Sequence, residues 1–548
     1  MKRLAALILT LNIVFDAVCV NAAGNFSDVP NGHWAEEYVK KSAEYGLLQG
    51  IGNGNFGCGK TITRAEFITV LCRMFSFSAK NTASSSFSDV SADDWFFGYI
   101  EAGLENNVFD LAENFHPNSE ITREDMAQML VRALGLSKVD EITDAAPPFS
   151  DISALSEKSR NYISAAYSLK MVTGTGDGKF CPQNPAKREE AAAMFVRIYE
   201  KISEKTDFVH GFYALSSYSQ KDVIASTDYI TYGWSALETS ENGIYLNTTS
   251  ANQNEWKIPE SYELITDYVK NMGKKANLGI YSDASKGIEK ILSDESLSKN
   301  AVDRIMEELQ KNYDTIGENP YSGVTVDFEG LKGKENLENF NRFLNLLSAA
   351  LKNNGKKLFT AVHPVVYNDA YFDGYDYKTI ANISDKVILM AHDYNPVSLK
   401  SFIGTKWYLN AAPAPLSKVY YSLKSISDAV GPDSRQKIML ALSLAPLGYE
   451  IDSEDNLVSG NGIYPAAETV FKRLNQPGTQ KGYSADSRNP YIKYETEDGK
   501  RYFLWYENEQ SVKEKMRIAK LFGIKSVSLW RIGILPLYNG FNIMPSLN

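Results

Sequence analysis

The stretch YSGVTVDFEG, residues 321–330, decides the fold and raises the question of function. From Val324 to Glu329, apolar residues alternate strictly with Thr325, Asp327 and Glu329. Alternation with a period of two predicts a half-buried strand. Burying a carboxylate without a partner costs several kcal/mol, so two carboxylates on one face of a strand are not explained by packing.

The composition describes a large, folded and acidic chain. Its 548 residues predict about two to four domains. Hydrophobic residues make up 44% and charged residues 23%, which is enough to build packed cores. The net charge of -10 argues against a nucleic acid as the main partner.

Residues 1–23 are predicted to be a secretory signal peptide. Two basic residues precede an apolar run that ends in the small residues Ala22 and Ala23. Asp16 interrupts the apolar run, which leaves an uncleaved anchor as the alternative. No later segment has the roughly eighteen uninterrupted apolar residues of a membrane span, so we expect no transmembrane segment in the mature chain.

Cysteine and histidine are too sparse for a disulfide framework or a metal centre. Cleavage of the signal would leave only Cys58, Cys72 and Cys181. Cys58 and Cys181 occupy similar places in two repeats, so one bridge and three free thiols both remain open. None of the five His has the spacing of a metal-ligand motif, and we expect neither a metal nor a cofactor.

A unit that recurs three times fills residues 24–202. Each copy opens on a variant of FSDV and enters a second helix at a variant of TRAE. Such units cannot bury their apolar faces alone, so they predict one all-α domain. The copies span about residues 25–77, 86–136 and 148–202.

The TRAE-like motifs have a structural explanation that is incomplete. In residues 63–66, Thr-x-x-Glu before an apolar run is a capping box, which accounts for Thr63 and Glu66. It does not account for an arginine in all three copies, at 64, 123 and 188. A guanidinium beside a helix N-terminus suits an anionic group.

These repeats resemble S-layer homology domains, which attach bacterial proteins to secondary cell-wall polymers. The resemblance implies binding of pyruvylated wall sugars, whose carboxylates suit arginine. The residues that it assigns to the polymer are Trp34, Arg64, Trp95, Arg123 and Arg188. The third copy departs from the pattern, because Ser159 or a neighbour replaces the tryptophan and Lys187 replaces the threonine.

Residues 207–548 predict a (β/α)8 TIM barrel of the α/β class. Eight β-rich apolar runs, most of them separated by helix-like stretches, suit that fold. The runs are 208–215, 229–237, 276–283, 323–330, 357–364, 386–394, 437–449 and 525–533. An insertion at about 450–500, with a hairpin at Asp498-Gly499, predicts a small α+β subdomain. The protein is therefore predicted to be multidomain.

The carboxylates of the fourth strand would face the inside of this barrel. Residues i and i+2 of a strand lie about 6.5 Å apart, so Asp327 and Glu329 can interact and raise one pKa. We expect Glu329, nearer the open end, to stay protonated as a general acid and Asp327 to stay charged. Two such carboxyls suit glycoside hydrolysis. An ion pair with Lys or Arg, or a solvated charge at the mouth, is the alternative.

Residues 322–329 resemble the family-18 glycoside hydrolase signature D-G-x-D-x-D-x-E. Asp327 and Glu329 match, whereas Ser322 and Thr325 replace the first two acids. The resemblance implies that Glu329 protonates the glycosidic oxygen and Asp327 orients the 2-acetamido group of the substrate. It extends over about 207–540 and is closest to the spore-germination, peptidoglycan-lytic branch.

Further stretches carry the same resemblance. LMAHDYN resembles the family's M-x-Y-D with His392 at the tyrosine position, and APLGY resembles its seventh-strand region. Trp530 stands where the family stacks an indole on the sugar, although a lone histidine or tryptophan is also common in cores. The implied substrate-binding residues are Trp530, Met390, His392, Asp393, Tyr394 and Tyr449.

Together these features predict a secreted glycosidase attached to the bacterial cell wall. It would cleave β-1,4 bonds after N-acetylhexosamine, in peptidoglycan or chitin-like glycans, by a substrate-assisted retaining mechanism. The alternative is a non-catalytic wall protein that binds glycan through a degenerate barrel, as the replaced acids suggest. A barrel that serves only as a spacer in a surface layer is a third hypothesis.

Overall fold

The computed structural model describes residues 26–138, 147–214, 217–240, 243–312, 319–366, 372–536 and 544–548. The predicted signal peptide lies outside these ranges. Among the helices within them, none is both long and apolar enough to cross a membrane.

The described part of residues 26–202 contains six helices, two for each repeat. They are α1 (Glu36–Glu44), α2 (Arg64–Phe75), α3 (Phe97–Glu105), α4 (Arg123–Ala133), α5 (Glu157–Ser168) and α6 (Arg188–Ile202). Thr63 and Glu66 form the predicted capping box at α2. Isolated β-bridges tie each repeat to the other two. The bridged pairs are Thr61 with Lys187, Thr63 with Glu120, and Thr122 with Pro185.

The barrel is closed by eight parallel strands, as predicted. The strands of the chain are β1 (Phe208–Tyr213), β2 (Tyr229–Ser240), β3 (Gly243–Asn247), β4 (Lys275–Ser282), β5 (Gly323–Phe328), β6 (Lys357–Val362), β7 (Lys386–Leu389), β8 (Ile438–Ser443), β9 (Leu447–Ile451), β10 (Gln480–Tyr483), β11 (Pro490–Glu495), β12 (Arg501–Trp505) and β13 (Ser526–Ile532). The parallel order runs β1-β13-β8-β7-β6-β5-β4-β2, and β1 pairs with β2 to close it. Every predicted run overlaps one of the barrel strands.

Helices follow most barrel strands. They are α7 (Glu263–Asn271), α8 (Ile288–Ser293), α9 (Glu295–Gln310), α10 (Gly333–Asn353), α11 (Tyr377–Ile383), α12 (Leu416–Val430) and α14 (Glu509–Leu521). Val324, Val326 and Phe328 are fully buried on the outer face of β5. Phe328 packs on Phe340 and Phe343 of α10, with ring centroids 5.8 and 5.4 Å apart. The apolar face of β5 therefore meets the helices, as predicted.

A second sheet, with strand order β10-β11-β12-β9, lies in the region of the predicted insertion, together with α13 (Ala467–Leu474). The hairpin at Asp498-Gly499 joins β11 to β12, and Gly499 takes a φ of 77°. The predicted run 437–449 is two strands rather than one. Pro446 lies between β8 and β9, and β9 leaves the barrel to pair with β12.

The repeat domain packs against the side of the barrel. Helix α6 contacts α14, and buried residues of both parts belong to one apolar cluster. The Lys138 ammonium lies 2.9 Å from the Asp486 carboxylate, and the Arg517 guanidinium lies 5.4 Å from the centre of the Phe75 ring. Apolar packing and charged contacts thus both join the two parts.

Candidate active site

Asp327 and Glu329 lie at the carboxyl end of β5, on the face opposite the outer helices. Asp327 is 4% exposed, and the Glu329 side chain, one residue beyond the strand, is 38% exposed. The first residue of β5 is Gly323, and only glycine fits there because a Cβ would lie 2.1 Å from the Lys357 carbonyl oxygen of β6. Within the described ranges neither carboxylate forms an ion pair with Lys or Arg, so the alternative of a structural ion pair has no support.

Burial raises the pKa of both carboxyls. The pKa of Asp327 lies well above its ordinary value, because burial and then the charge of Glu329 disfavour ionisation. Burial also raises the pKa of Glu329, which is the predicted direction. From the sequence, Asp327 is expected to be the charged member of the pair, whereas burial opposes the ionisation of Asp327 as well. The deeper position that suggested this expectation also removes Asp327 from water.

The floor below Asp327 is polar and neutral. Asp327 Oδ1 is buried without a hydrogen-bond partner. Thr325 places its Oγ1 2.6 Å from that of Thr231 and accepts a hydrogen bond from the Asn277 amide at 3.2 Å. The Nε2 atom of His210 lies 2.8 Å from Thr231 Oγ1 and extends this series of hydrogen bonds. Burial lowers the pKa of His210 to about 3. Thr325 thus stands where the signature has an acid but supplies no charge.

An aromatic wall lies beside the acids. Trp530, in β13, packs edge-on against Phe212 at 4.9 Å and lies 6.0 Å from Trp256. Trp256 stacks on Tyr281 at 4.8 Å, with the ring planes 11° apart. Met390 packs in the same apolar cluster as Trp530. Trp530 and Met390 therefore pack against one apolar cluster, and their role in substrate binding stays a prediction.

Tyr281 links this wall to the acids and was missed by the sequence analysis. Burial raises its pKa, and the charge of Glu329 raises it further. The Tyr281 hydroxyl donates a hydrogen bond to Asp283 at 2.9 Å. Both residues close the run 276–283 at i and i+2, so the rule applied to β5 would have found them. Trp256 lies in an irregular segment without such a signal.

His392 and Asp393 form a hydrogen-bonded pair after β7. His392 Nδ1 lies 2.7 Å from Asp393 Oδ2. Burial raises the pKa of Asp393, but the opposing effects of His392 prevail and the net direction is down. His392 also lowers the pKa of Glu329, so this pair borders the acid. His363, which follows β6, was missed and lies 3.9 Å from Glu329.

Comparison with known families agrees with this geometry. A model described as "Glycosyl hydrolases family 18" matches residues 197–534. The chain belongs to glycosyl hydrolase family 18. A second model, "S-layer homology domain", matches residues 25–68, 86–127 and 148–192. Both predicted resemblances are confirmed, and the protein joins S-layer homology domains to a family-18 barrel.

Individual relatives match parts of the chain. Amylopullulanase of Thermoanaerobacterium thermosulfurigenes is 33% identical over 178 residues, which is 32% of this chain and 10% of that protein. S-layer protein EA1 of Bacillus anthracis is 32% identical over 192 residues, or 34% and 22% of the two chains. The chain thus spans a tenth to about a fifth of the length of these relatives.

Solved structures match about three fifths of the chain. The spore cortex-lytic enzyme SleL of Bacillus cereus is similar, with a TM-score of 0.48, 19% identity, and coverage of 63% of this chain and 74% of that one. A chitinase from Chromobacterium violaceum has a TM-score of 0.48, 17% identity, and coverage of 62% and 97%.

Two tyrosines assigned to the family-18 site lie elsewhere. The Tyr394 hydroxyl lies 2.7 Å from Ser422 Oγ on α12, because the chain turns at Asp393, whose φ is 57°. Tyr449 is buried opposite Phe503 in the second sheet. Both predictions are wrong, because the Tyr394 hydroxyl contacts helix α12 and the Tyr449 side chain is buried in the second sheet.

The S-layer homology arginines join the repeats. Arg64 donates a hydrogen bond to the Phe115 carbonyl, Arg123 to that of Phe180, and Arg188 to that of Phe56. Arg64 also pairs with Asp125 at 2.6 Å, and Arg188 pairs with Glu66. Arg188 is 3% exposed, so its position is that of a joint between repeats rather than an exposed anion contact.

The remaining predicted residues of the S-layer homology domains are more accessible. Trp34 and Trp95 are 58% and 61% exposed, just before α1 and α3.

Cys58, Cys72 and Cys181 are free thiols, so the possible bridge between Cys58 and Cys181 is not formed. The described residues contain no group of three or more His, Cys, Asp or Glu arranged to hold a metal ion.

Proposed function

We propose that the protein is a wall-attached glycosidase that cleaves β-1,4 bonds after N-acetylhexosamine. The observation that carries this proposal is the pair on β5, in which Asp327 keeps a buried oxygen without a partner beside a Glu329 of raised pKa. A buried acceptor without a donor is costly unless a ligand supplies the donor. The N–H of a 2-acetamido group on the substrate is such a donor.

The proposed reaction is substrate-assisted and retaining. Glu329 donates its proton to the glycosidic oxygen as the bond from that oxygen to the anomeric carbon breaks. Asp327 holds the acetamido N–H, so that the acetamido carbonyl oxygen forms the new bond to the anomeric carbon. Water then attacks the same carbon, ionised Glu329 takes its proton, and the carbonyl leaves. The Trp530 indole would support the sugar ring.

The S-layer homology domains support the location and the substrate. We propose that they bind pyruvylated secondary cell-wall polymer through Trp34 and Trp95, together with the accessible parts of Arg64 and Arg123. Attachment to the wall would place the barrel beside peptidoglycan, which is the substrate that we favour over chitin. Neither a cofactor nor a nucleic acid is part of this proposal.

The variant Glu329→Gln tests the acid. We expect it to abolish hydrolysis of a chromogenic chitobioside and to leave the circular dichroism spectrum unchanged. Glu335→Gln, at an exposed residue in the first turn of α10, is the control and should retain full activity. Unchanged turnover by Glu329→Gln would remove Glu329 from the mechanism. Mass spectrometry of products from peptidoglycan and chitin oligomers would identify the substrate.

A non-catalytic glycan-binding protein is the second candidate. Ser322, Thr325 and His392 favour it, because each replaces a residue of the family pattern. Such a protein would bind chitin oligomers and leave them intact after prolonged incubation. A barrel that binds no glycan at all would point to a spacer.

A further inference from the structure

His363 is a buried imidazole beside the acid of β5. It follows Val362, the last residue of β6, and its side chain is 15% exposed. Its Nε2 is buried without a hydrogen-bond partner and lies 3.9 Å from Glu329 Oε2. That separation is about 1 Å longer than a hydrogen bond between a ring N–H and an oxygen. The two groups are thus close without being bonded.

The ring of His363 is held in place by its neighbours. It stacks on Phe372, with centroids 3.9 Å apart and planes 28° apart, and lies 5.8 Å from the Tyr375 ring. The Tyr377 hydroxyl donates a hydrogen bond to the His363 carbonyl at 2.6 Å. These contacts hold the imidazole edge beside Glu329, whose flexible side chain can cover the remaining distance.

The imidazole remains neutral beside the acid. Burial, and to a smaller extent His392 from the end of β7, lower the pKa of His363 to about 4. Asp393 opposes this effect but does not reverse it. A neutral imidazole has one N–H donor, and at His363 the buried Nε2 faces the acid. The ring can therefore donate a hydrogen bond to Glu329 without exchanging a proton with it.

We propose that His363 is a positioning residue that donates its Nε2–H to the Glu329 carboxylate when Glu329 is ionised. This inference rests on the proposed function and adds a residue that the family signature does not contain. When Glu329 gives its proton to the leaving oxygen, its new charge draws the two groups together. Catalytic hydrogen bonds that are long in the free enzyme commonly tighten in this way. The proton of His363 stays on His363 throughout.

The proposal has a specific consequence for pH dependence. A donor to the ionised form lowers the pKa of Glu329, and Glu329 must be protonated to start the reaction. The basic limb of the kcat/KM profile therefore reports this pKa. Loss of the donor should move that limb to higher pH and lower kcat about ten- to a hundredfold, the worth of one hydrogen bond to a charged group.

Two substitutions separate this role from packing. His363→Leu removes the donor, whereas His363→Gln keeps an N–H donor. We expect His363→Leu to shift the basic limb upward and His363→Gln to retain most of the wild-type profile. His116→Leu, at a histidine that is 66% exposed in the second repeat, is the matched control and should change neither limb nor kcat. Chitobioside turnover against pH, together with thermal unfolding, measures all three.

Three results would overturn the proposal. The first is a kcat/KM profile of His363→Leu whose basic limb lies at the same pH as that of the wild type. The second is the same pH profile for His363→Leu and His363→Gln. The third is a His363→Leu variant in which a lowered Tm is the only change. If the wild-type chain cleaves no glycan, the proposed function fails instead. The contact can then still be tested by infrared titration. The carboxyl band that is present in the wild type and missing from Glu329→Gln belongs to Glu329, and His363→Leu must raise the pKa at which this band titrates. An unshifted band overturns it.

Discussion

The acids of β5 differ in what surrounds them rather than in their chemistry. Asp327 has lost the charged neighbour that the family signature places at 325, and Thr325 keeps only neutral hydrogen bonds to the barrel floor. Glu329 is therefore the neighbouring charge to which the ionisation of Asp327 responds. A buried carboxyl in this position resists ionisation until a ligand arrives.

This environment predicts how the stability of Asp327→Asn depends on pH. Because the folded state raises the pKa of Asp327 above its ordinary value of 3.8, the native protein binds its proton more tightly than the unfolded chain. Protonated Asp327 therefore stabilises the folded state at low pH, and this contribution is lost as pH rises from about 4 through the pKa of Asp327 in the folded protein. The variant should escape this loss, by about 1.4 kcal/mol for each pKa unit.

Thermal unfolding between pH 4 and pH 9 measures the stability of Asp327→Asn relative to the wild type. This relative stability should increase as pH rises. Asp452→Asn is the control. A hydrogen bond from the Asn456 backbone N–H lowers the pKa of Asp452 below 3.8, so the stability that its ionisation contributes is lost only as pH falls below about 4. That variant should therefore differ from the wild type by a constant amount between pH 5 and pH 9. A falling advantage of Asp327→Asn with pH would contradict the burial argument.

At the scale of elements, strands were easier to predict than the side chains just beyond them. Alternation and apolar runs located all eight barrel strands, because burial determines which residues face outward. The family resemblance, which assigned Tyr394 and Tyr449 to the site, failed where the chain turns after Asp393 and passes Pro446 into another sheet. The closeness of His363 to Glu329 depends on barrel closure, which local sequence does not encode.

One ion pair joins two elements that no sequence pattern connects. Arg488 and Glu514 of α14 are both buried, with a shortest nitrogen–oxygen distance of 2.5 Å. Arg488→Ala should destabilise the protein by about 3–5 kcal/mol, because it leaves the buried Glu514 charge without its hydrogen-bonded cation. Urea unfolding followed by tryptophan fluorescence measures the loss of stability.

Two further variants control the Arg488 experiment. Arg304→Ala breaks an exposed pair with Glu307 and should cost no more than about 1 kcal/mol. Arg488→Met combined with Glu514→Leu should recover most of the loss, since two apolar groups leave no unpaired charge. Equal losses for the Arg488 and Arg304 variants would show that burial does not govern this pair.

The whole molecule joins a closed ring of repeats to a barrel. Arg64 reaches the second repeat, Arg123 the third, and Arg188 the first, so each copy completes its neighbour. The sequence showed that the three arginines recur but not that they connect different copies, because that contact exists only in the assembled ring. Their recurrence is explained first by the ring, which leaves Trp34 and Trp95 as the most accessible candidates for the wall polymer.

The exposed tryptophans therefore give the test of attachment. Trp34→Ala combined with Trp95→Ala should abolish co-sedimentation with purified cell walls, because large exposed aromatic faces are what bind sugar rings. Thermal stability should change little, since neither side chain lies in the core. Hydrolysis of a soluble chitobioside should remain at the wild-type rate. Leu111→Ala, at another exposed apolar residue of the same domain, is the matched control. Wall binding that survives the double substitution would assign attachment to other residues, and the catalytic proposal would stand independently because the barrel acids lie in another part of the chain.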